Sequence, residues 1–429
     1  MGTMSGRARR FAYVGLDVGE DSLTGHYELD GRPFRETVTF EGAGSLRSAP
    51  ARALAQVWSL LAGLSYYKAG AARSVELGDT PVGPAGRALL EAALRDGLGE
   101  YALGQGLDLS DVTFAGGRPA TPAPATLDPE RVLVPFGGGI DSVVSVESLR
   151  GDLDASLFVV SPASGPFAAL EATAAVTGRP IVRATRRLDP ALTGDATLRR
   201  GHVPVTAMVT LLAATAAAAS GRGGVVMSNE HSASEPNLVV DGRAVNHQWS
   251  KSWAAEQLIA AAVEEAVGAD LVVASLLRDR SELWVAQRFA ALPAYHPVFR
   301  SCNRAFAQDP ARRATSWCGE CDKCLFVNLV LAPFLPRDAL AAIFGSEPLA
   351  SPARRDQLRT LVGRGATPKP FECVGDPAES AEALRRVVAT PAWAGEAHLR
   401  ALADELGPSA SDDPFAPQGP SRVPAHWLR

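Results

Sequence analysis

The sequence lacks a strong excess of charge of either sign and has few cysteines for its length. Its 429 residues carry a formal net charge of −5. This charge argues against a general nucleic-acid-binding protein, because such proteins are usually basic. Three of the five cysteines are separated by two-residue gaps. That spacing indicates a metal site in a reducing compartment rather than a disulfide framework.

The sequence also lacks a recognisable leader and a convincing membrane span. The basic residues 1–10 are not followed by a long apolar core, so no signal peptide is expected. The most apolar stretch, residues 203–220, is rich in alanine and threonine and contains Pro204. A membrane helix usually needs roughly 20 strongly apolar residues, so this stretch predicts a buried helix packed on a sheet. We therefore expect a cytoplasmic protein with no membrane partner and no nucleic-acid partner.

A chain of this length can hold two or three domains. The Pro-rich segment 116–126 suggests a boundary between an N-terminal α+β domain, residues 1–125, and a second domain, residues 128–290. In the first domain the patterns predict a hairpin turn at Asp30-Gly31, strands over 11–17, 23–29 and 34–40, and helices over 54–64 and 85–94. It carries no obvious chemical motif, so it could gate the site, bind part of the substrate or only stabilise the fold.

Residues 128–290 alternate between strand and helix patterns, which predicts an α/β domain with a parallel sheet covered on both faces. The predicted strands are 132–136, 156–161, 180–183, 224–228 and 270–275, and the predicted helices are 142–149, 167–176, 205–219 and 254–267. Ligands of such sheets bind at the carboxyl ends of the strands. The third region, 291–429, combines the cysteine cluster with predicted helices over 336–344, 356–361 and 381–388. Its segment 407–420 is predicted to be disordered or loosely wrapped.

A glycine loop follows the first strand of the parallel sheet. Gly137, Gly138 and Gly139 stand between the apolar run 132–136 and a predicted helix that contains Asp141 and Ser142. Glycines and a helix N-terminus bring backbone N–H groups close to an anion, so this geometry favours phosphate binding. The spacing fits neither the Walker pattern nor the dinucleotide pattern. The alternative is a tight turn in which Asp141 only caps the helix.

Two polar clusters and four cysteines complete the candidate site. Residues 228–235 follow the fourth strand of the parallel sheet and include Glu230 and His231, whereas 245–252 precede a helix and include His247 and Lys251. A cation at a helix start is unfavourable unless it faces an anion, although both segments could be plain solvated loops. The cysteines with metal-ligand spacing are Cys302, Cys318, Cys321 and Cys324.

The four thiolates suit tetrahedral zinc; an iron–sulfur cluster, or buried thiols without a metal, are the alternatives. Cys373 has no ligand spacing and is interpreted as a plain buried cysteine. His296 lies near the cysteine region and is a weaker candidate for lining the site.

The glycine loop resembles the PP-loop of ATP pyrophosphatases, whose signature is Ser-Gly-Gly-x-Asp-Ser. Here Gly138-Gly139-Ile140-Asp141-Ser142 matches and Gly137 replaces the leading serine. The resemblance implies that backbone N–H groups of Gly138, Gly139 and Ile140 hold the pyrophosphate of ATP. Ser142 would donate a hydroxyl hydrogen bond, and Asp141 would help to hold Mg²⁺. The phosphate contact at Gly137 is in doubt.

Four longer strings resemble the UDP-N-acetyl-α-D-muramoyl-L-alanyl-L-glutamate epimerase family; they are 136–142, 228–235, 245–252 and 316–326 with 331–335. 7-Cyano-7-deazaguanine synthase shares a PP-loop and cysteines, but it is shorter and lacks the N-terminal region. The resemblance implies conversion of the terminal L-Glu of UDP-MurNAc-L-Ala-L-Glu to D-Glu through an adenylated carboxylate, with the use of ATP and Mg²⁺ and release of AMP and pyrophosphate. The candidate acid–base residues are Glu230, His231, His247 and Lys251. The alternatives are another PP-loop adenylating enzyme, such as a ligase or a nucleobase- or tRNA-modifying enzyme, and an inactive nucleotide-binding module.

Overall fold

The computed structural model describes residues 6–409 and 413–428, and most of its strands form a single ten-stranded sheet. A separate two-stranded hairpin consists of β10 and β11. The strands are β1 Arg10–Val18, β2 Ser22–Leu29, β3 Arg32–Glu41, β4 Ser74–Glu76, β5 Thr113–Ala115, β6 Asp128–Pro135, β7 Asp154–Pro162, β8 Ile181–Arg187, β9 Arg222–Met227, β10 Leu238–Val240, β11 Arg243–Val245 and β12 Val272–Ser275.

The large sheet has the order β12-β9-β6-β7-β8-β3-β2-β1-β4-β5. Its first five strands are parallel, which confirms the predicted parallel sheet. Strand β3 joins β8 in antiparallel pairing, so the N-terminal strands extend the same sheet. The predicted hairpin turn is confirmed as well: Asp30 and Gly31 join the antiparallel strands β2 and β3, and their φ angles of 47° and 84° suit a two-residue turn.

Fifteen helices surround the sheet in the described chain. They are α1 Ala49–Ala62, α2 Leu64–Tyr67, α3 Pro84–Arg95, α4 Gly99–Gln105, α5 Ile140–Ser148, α6 Ala168–Val176, α7 Ala191–Gly194, α8 Val205–Ala219, α9 Trp253–Val267, α10 Glu282–Ala290, α11 Asp322–Leu331, α12 Arg337–Phe344, α13 Arg355–Leu361, α14 Pro377–Val388 and α15 Ala397–Leu406. Two of them begin earlier than predicted because a proline occupies the first turn, in α1 after Ser48 and in α14 after Asp376.

The two faces of the sheet carry two hydrophobic cores, because alternate strand residues point to opposite faces. Leu133 of β6 and Val225 of β9 belong to the core beneath α1, α8 and α9. Val134 and Val226 belong to the core shared with α5, α10 and the cysteine-containing region. The apolar stretch 203–220 is the buried helix α8, as predicted. No helix in the described ranges is both long enough and apolar enough to cross a membrane.

The Pro-rich segment 116–126 runs along this body and is held by backbone hydrogen bonds. The N–H groups of Ala123 and Ala125 donate to the carbonyls of Ala266 and Val267 at 2.8 and 3.1 Å. Strands from both sides of the segment share one sheet and one core. The division at 125/128 and 290/291 stays a prediction.

The C-terminal segment wraps around the second core. Residues 410–412 of the predicted disordered stretch lie outside the described residues. Beyond them, the Gln418 N–H donates to the Asp279 carbonyl at 2.8 Å, and the Ser281 hydroxyl donates to the Pro414 carbonyl at 2.6 Å. Trp427 is 1% exposed. From residue 413 onward the loosely wrapped alternative is therefore the one observed.

Candidate active site

The candidate site lies at the point of the parallel sheet where later strands are added on the other side of β6. From β6 the chain continues to β7 on one side, whereas β9 pairs with β6 on the other side. The carboxyl ends of neighbouring strands at such a switch point form a ligand crevice. The segments after β6, β9 and β12 place Asp141, Glu230 and Glu282 there, and the three carboxyl groups interact electrostatically.

The glycine loop after β6 has the backbone geometry of an anion cradle. Gly138 has a φ of +74°, and a Cβ at this position would lie 3.1 Å from the Leu170 Cα. Helix α5 begins directly after Gly139 with no side-chain cap. Asp141 Oδ1 is buried and has no hydrogen-bond partner among the described residues. Asp141 therefore does not simply cap a tight turn, and the free N–H groups of the first helical turn remain for a ligand.

The carboxyl groups of the crevice repel one another in a buried environment. Burial, and after it the charge of Glu230, raises the pKa of Asp141 to about 6. The same two causes raise the pKa of Glu282 well above its usual range. Burial and Asp376 raise the pKa of Glu379 to about 8. Such a site is stabilised by cations, and carboxylate oxygens are the protein ligands that Mg²⁺ prefers.

Lys251 supplies a cation to this cluster. It precedes α9, whose N-cap is Ser252: the Ser252 hydroxyl accepts the Ala255 N–H at 3.2 Å. Burial lowers the pKa of Lys251, but nearby Cys373 and the carboxyl groups raise it overall. The carboxylates that raise it include Glu230 and Asp141. The expectation that Lys251 faces an anion is met by these groups, since its ammonium and the Asp141 carboxyl group interact electrostatically.

A buried ion pair holds the two polar segments together. Arg278 and Glu256, 1% and 3% exposed in their side chains, are paired at 2.8 Å. The Arg278 guanidinium also donates to the carbonyls of Glu230 and Lys251, at 2.9 and 2.6 Å. One side chain thus fixes the backbone of both segments, and with it the position of two candidate acid–base residues.

Sequence reasoning missed a second set of groups beside Lys251. His247 Nδ1 lies 2.5 Å from Glu100 Oε2 of helix α4, and the side chains of His247 and Cys373 interact with each other. The His202 ring packs 4.4 Å from the His247 ring, measured between centroids. Glu100 belongs to the region whose role the sequence left open, and Cys373 had been interpreted as an ordinary buried cysteine.

These neighbours set the charge states of the two central groups. Burial lowers the pKa of His247, but its hydrogen bonds to Cys373 and Glu100 raise it to about 9 overall. Burial raises the pKa of the Cys373 thiol, but Lys251 and His247 lower it to about 6 overall. These shifts favour a thiolate that faces an imidazolium. Glu100, His202 and His247 offer ligand atoms that lie within 4.8 Å of one another.

The four predicted metal-ligating cysteines come together. The sulfur atoms of Cys302, Cys318, Cys321 and Cys324 all lie within 4.8 Å of one another. The Cys318–Cys324 and Cys321–Cys324 sulfur distances are 3.6 and 3.4 Å. Gly319, with a φ of +67°, allows the tight turn between the first two ligands of the knuckle. Four converging thiols, two of them fully buried, fit a tetrahedral metal ion.

The two remaining candidate histidines lie in different surroundings. A Cβ at Gly419 would lie 3.0 Å from the His231 ring, so this ring faces the C-terminal segment. His231 is a candidate by its position in the sequence alone. The His296 ring packs 5.4 Å from the Phe289 ring, and its Nε2 lies 3.3 Å from the Phe289 carbonyl oxygen.

A doubly covered α/β sheet with an anion cradle and buried acid–base groups at its switch point defines an enzyme-type site. Comparisons with known proteins agree. The family models "MurL N-terminal domain" and "MurL C-terminal domain" match residues 3–276 and 298–415. Three relatives are each named UDP-N-acetyl-alpha-D-muramoyl-L-alanyl-L-glutamate epimerase.

The Salinispora tropica relative is 40% identical over 86% of this chain and 81% of its own length. The Micromonospora sp. relative is 39% identical, and the Xanthomonas oryzae relative 35% identical, each over 98% of this chain and 96% of its own length. No solved structure matches the chain. The chain belongs to the UDP-N-acetyl-alpha-D-muramoyl-L-alanyl-L-glutamate epimerase family, which confirms the resemblance seen in the sequence.

Proposed function

We propose that the protein converts the terminal L-Glu of UDP-MurNAc-L-Ala-L-Glu to D-Glu in peptidoglycan precursor synthesis. ATP would be consumed in the presence of Mg²⁺, with release of AMP and pyrophosphate. The observation that carries this proposal is the convergence of Asp141, Glu230 and Lys251 beside the glycine loop. Family membership supports the reaction, and the site supports the use of ATP.

Adenylation explains why an epimerase would need ATP. The α-proton of a carboxylate is very weakly acidic, because the carbanion would form beside a negative charge. Transfer of AMP to the carboxylate removes that charge, and the carbonyl can then accept electron density as an enolate. A base removes the proton, an acid returns one to the other face, and water hydrolyses the acyl-adenylate. The PP-loop assignment thereby gives the glycine loop a chemical purpose.

Each part of the crevice has a role in this scheme. The N–H groups of residues 138–140 and the Ser142 hydroxyl would hold the phosphates; the hydroxyl now donates to the Gly139 carbonyl at 3.0 Å. Asp141, Glu230 and Glu282 offer oxygen ligands for Mg²⁺. Lys251 would stabilise the charge that develops on the transferred α-phosphate. The four cysteines would hold a structural Zn²⁺ that takes no part in the reaction.

The decisive experiment is a chirality assay with nucleotide analysis. Purified protein with UDP-MurNAc-L-Ala-L-Glu and Mg-ATP should yield AMP and the D-Glu product in comparable amounts. AMP release without a change in chirality would contradict the epimerase and leave another adenylating enzyme. Asp141→Ala should lose AMP formation and epimerisation together, and retained epimerisation would separate the glycine loop from the reaction.

A further inference from the structure

We infer that Cys373 is a catalytic residue of the epimerisation: its thiol group, beside His247, exchanges the α-proton of the glutamyl residue on one face. Glu100 is the positioning residue behind His247. This inference rests on the proposed function and adds to it a proton-transfer group that the sequence patterns did not suggest.

The geometry is that of a cysteine activated by a buried base. A carboxylate and an imidazole are paired beside the thiol, with Glu100 Oε2 2.5 Å from His247 Nδ1, and the Cys373 thiol interacts with His247. The Glu100 contact orients the imidazole. A thiolate kept beside an imidazolium is available as a base near neutral pH.

The backbone around Cys373 is fixed by two side-chain amides. Asn237 Nδ2 donates to the Pro370 carbonyl at 2.7 Å, and its Oδ1 accepts the His247 N–H at 2.8 Å. Gln248 Nε2 donates to the Val374 carbonyl at 3.2 Å. The thiol and the imidazole are therefore held against each other by the segments that flank them, as a proton-transfer pair requires.

On this side of the site, two buried polar groups have no hydrogen-bond partner in the described chain, which indicates a ligand. Lys369 Nζ and Glu282 Oε2, in residues 7% and 3% exposed, have no hydrogen-bond partner within the part of the chain described. Both groups interact electrostatically with Glu230. Cys373 in turn interacts with Lys251, which faces Asp141 of the glycine loop. Lys251 thus links the thiol electrostatically to the glycine loop, beside which the adenylated carboxyl group would form.

The proton transfer balances without a further reactant. The thiolate takes the α-hydrogen as a proton, and the electron pair of the C–H bond moves into the enolate of the acyl-adenylate. A second acid protonates the opposite face, and both groups then exchange protons with solvent. In the reverse direction the Cys373 thiol donates its proton. No bond to sulfur other than S–H forms or breaks.

The test uses the full chain with the conservative variant Cys373→Ser and, as a control, the exposed His26→Asn. Adenylation is followed by ATP–pyrophosphate exchange, and proton transfer by deuterium uptake at the α-carbon from ²H₂O, starting separately from the L-Glu and D-Glu substrates. Cys373→Ser should keep adenylation within about threefold, while epimerisation falls by about 10²–10⁴-fold. Deuterium uptake should persist from only one of the two epimers, because the group on the other face still works.

Three outcomes would overturn the assignment: epimerisation by Cys373→Ser within tenfold of the wild type, equal loss of adenylation and epimerisation, or an acyl group captured on Cys373 by mass spectrometry. The last would make the cysteine a nucleophile. Wild-type protein that forms no AMP with either epimer would refute the proposed function itself. Glu100→Gln should shift the acid limb of the pH profile of epimerisation to higher pH and leave ATP–pyrophosphate exchange unchanged. An acid limb at the wild-type pH would contradict the positioning role of Glu100.

Discussion

Gly137 stands where the ATP pyrophosphatase signature has a serine, and the structure shows room for that serine. A Cβ at Gly137 would have no atom within 4 Å, and its φ lies outside the left-handed range. Gly137→Ser should leave the free energy of unfolding within about 0.5 kcal/mol. The hydroxyl can add one phosphate hydrogen bond, worth about 0.5–1.5 kcal/mol, so the KM for ATP should fall by up to about tenfold.

Gly138→Ser is the matched control for this change. Its φ of +74° strains any residue with a side chain, and its Cβ would crowd the Leu170 backbone. It should lose most ATP-dependent activity while Gly137→Ser retains or gains it. Equal losses in both variants, measured as initial rates of AMP formation against ATP concentration, would show that residue 137 does not face the phosphates.

Two ionisable groups predict the acid limb of the pH profile. Burial and Glu230 raise the pKa of Asp141 to about 6, and cationic neighbours outweigh burial to lower that of Cys373 to about 6. The proposed reaction needs both groups deprotonated. The kcat/KM of epimerisation should therefore be maximal above this pH and fall as the pH drops below about 6, with a slope approaching two. Circular dichroism over the same range would separate titration from unfolding, and a flat profile down to pH 5 would contradict the prediction.

Sequence patterns predicted the residues of this site where a local signal exists. The glycine loop, Glu230, Lys251 and the four cysteines each stand in a short string with recognisable spacing. Cys373 has no such string, because its partners His247 and Glu100 are far away in sequence and meet it only through the fold. A lone cysteine is more often core than catalyst, and nothing in its local sequence distinguishes the two.

At the scale of elements, one buried ion pair joins the antiparallel strands β3 and β8. The Glu36 side chain is 0% exposed and lies 2.5 Å from the Arg186 guanidinium, which also donates to the Ser65 hydroxyl at 3.0 Å. Removing one charge leaves the other buried and unpaired. Glu36→Gln should therefore lower the free energy of unfolding by about 3–5 kcal/mol, measured by urea denaturation.

Glu20→Gln provides the control for an exposed ion pair. Glu20 lies 3.9 Å from Arg47, and both side chains are about two-thirds exposed. Such pairs contribute about 0–1 kcal/mol, so this variant should unfold near the wild-type midpoint. If the two variants were equally stable, the β3–β8 junction would not depend on the buried pair.

Elements that were not predicted from the sequence are short or carry mixed signals. Strands β4 and β5 have three residues each, too few for an alternating pattern to be visible. The hairpin of β10 and β11 is equally short. Helix α10 did have a local signal, because Ser281 caps it through the Trp284 N–H, but its aromatic and β-branched residues have modest helix propensity. The long apolar strands and helices of residues 128–275 were predicted because burial on both faces of the sheet imposes continuous apolar runs, whereas the ten-residue helices α11 and α15 were not predicted.

At the scale of the whole molecule, the N-terminal region is joined to the rest of the chain by the ten-stranded sheet, by a shared hydrophobic core and by the candidate active site. Strand β3 pairs with β8, and α1 packs on α8. Helix α4 supplies Glu100 to His247 of the candidate site. A sequence pattern shows the Pro-rich segment 116–126 as a composition change, but it cannot show that the strands on either side pair. The composition change therefore suggests a boundary at a place where the sheet is continuous across the segment.

This continuity predicts how the chain behaves when it is divided within segment 116–126. Residues 1–125 alone would expose the β3 edge and the apolar face of α1, so this piece should show no cooperative urea unfolding. Coexpressed with residues 126–429, it should copurify as a complex and recover epimerisation, because Glu100 and His247 lie on different pieces. The same complex carrying Glu36→Gln should associate more weakly, since Glu36 and its buried partner Arg186 lie on different pieces. Cooperative unfolding of the isolated piece, with no association, would instead establish residues 1–125 as an independent domain.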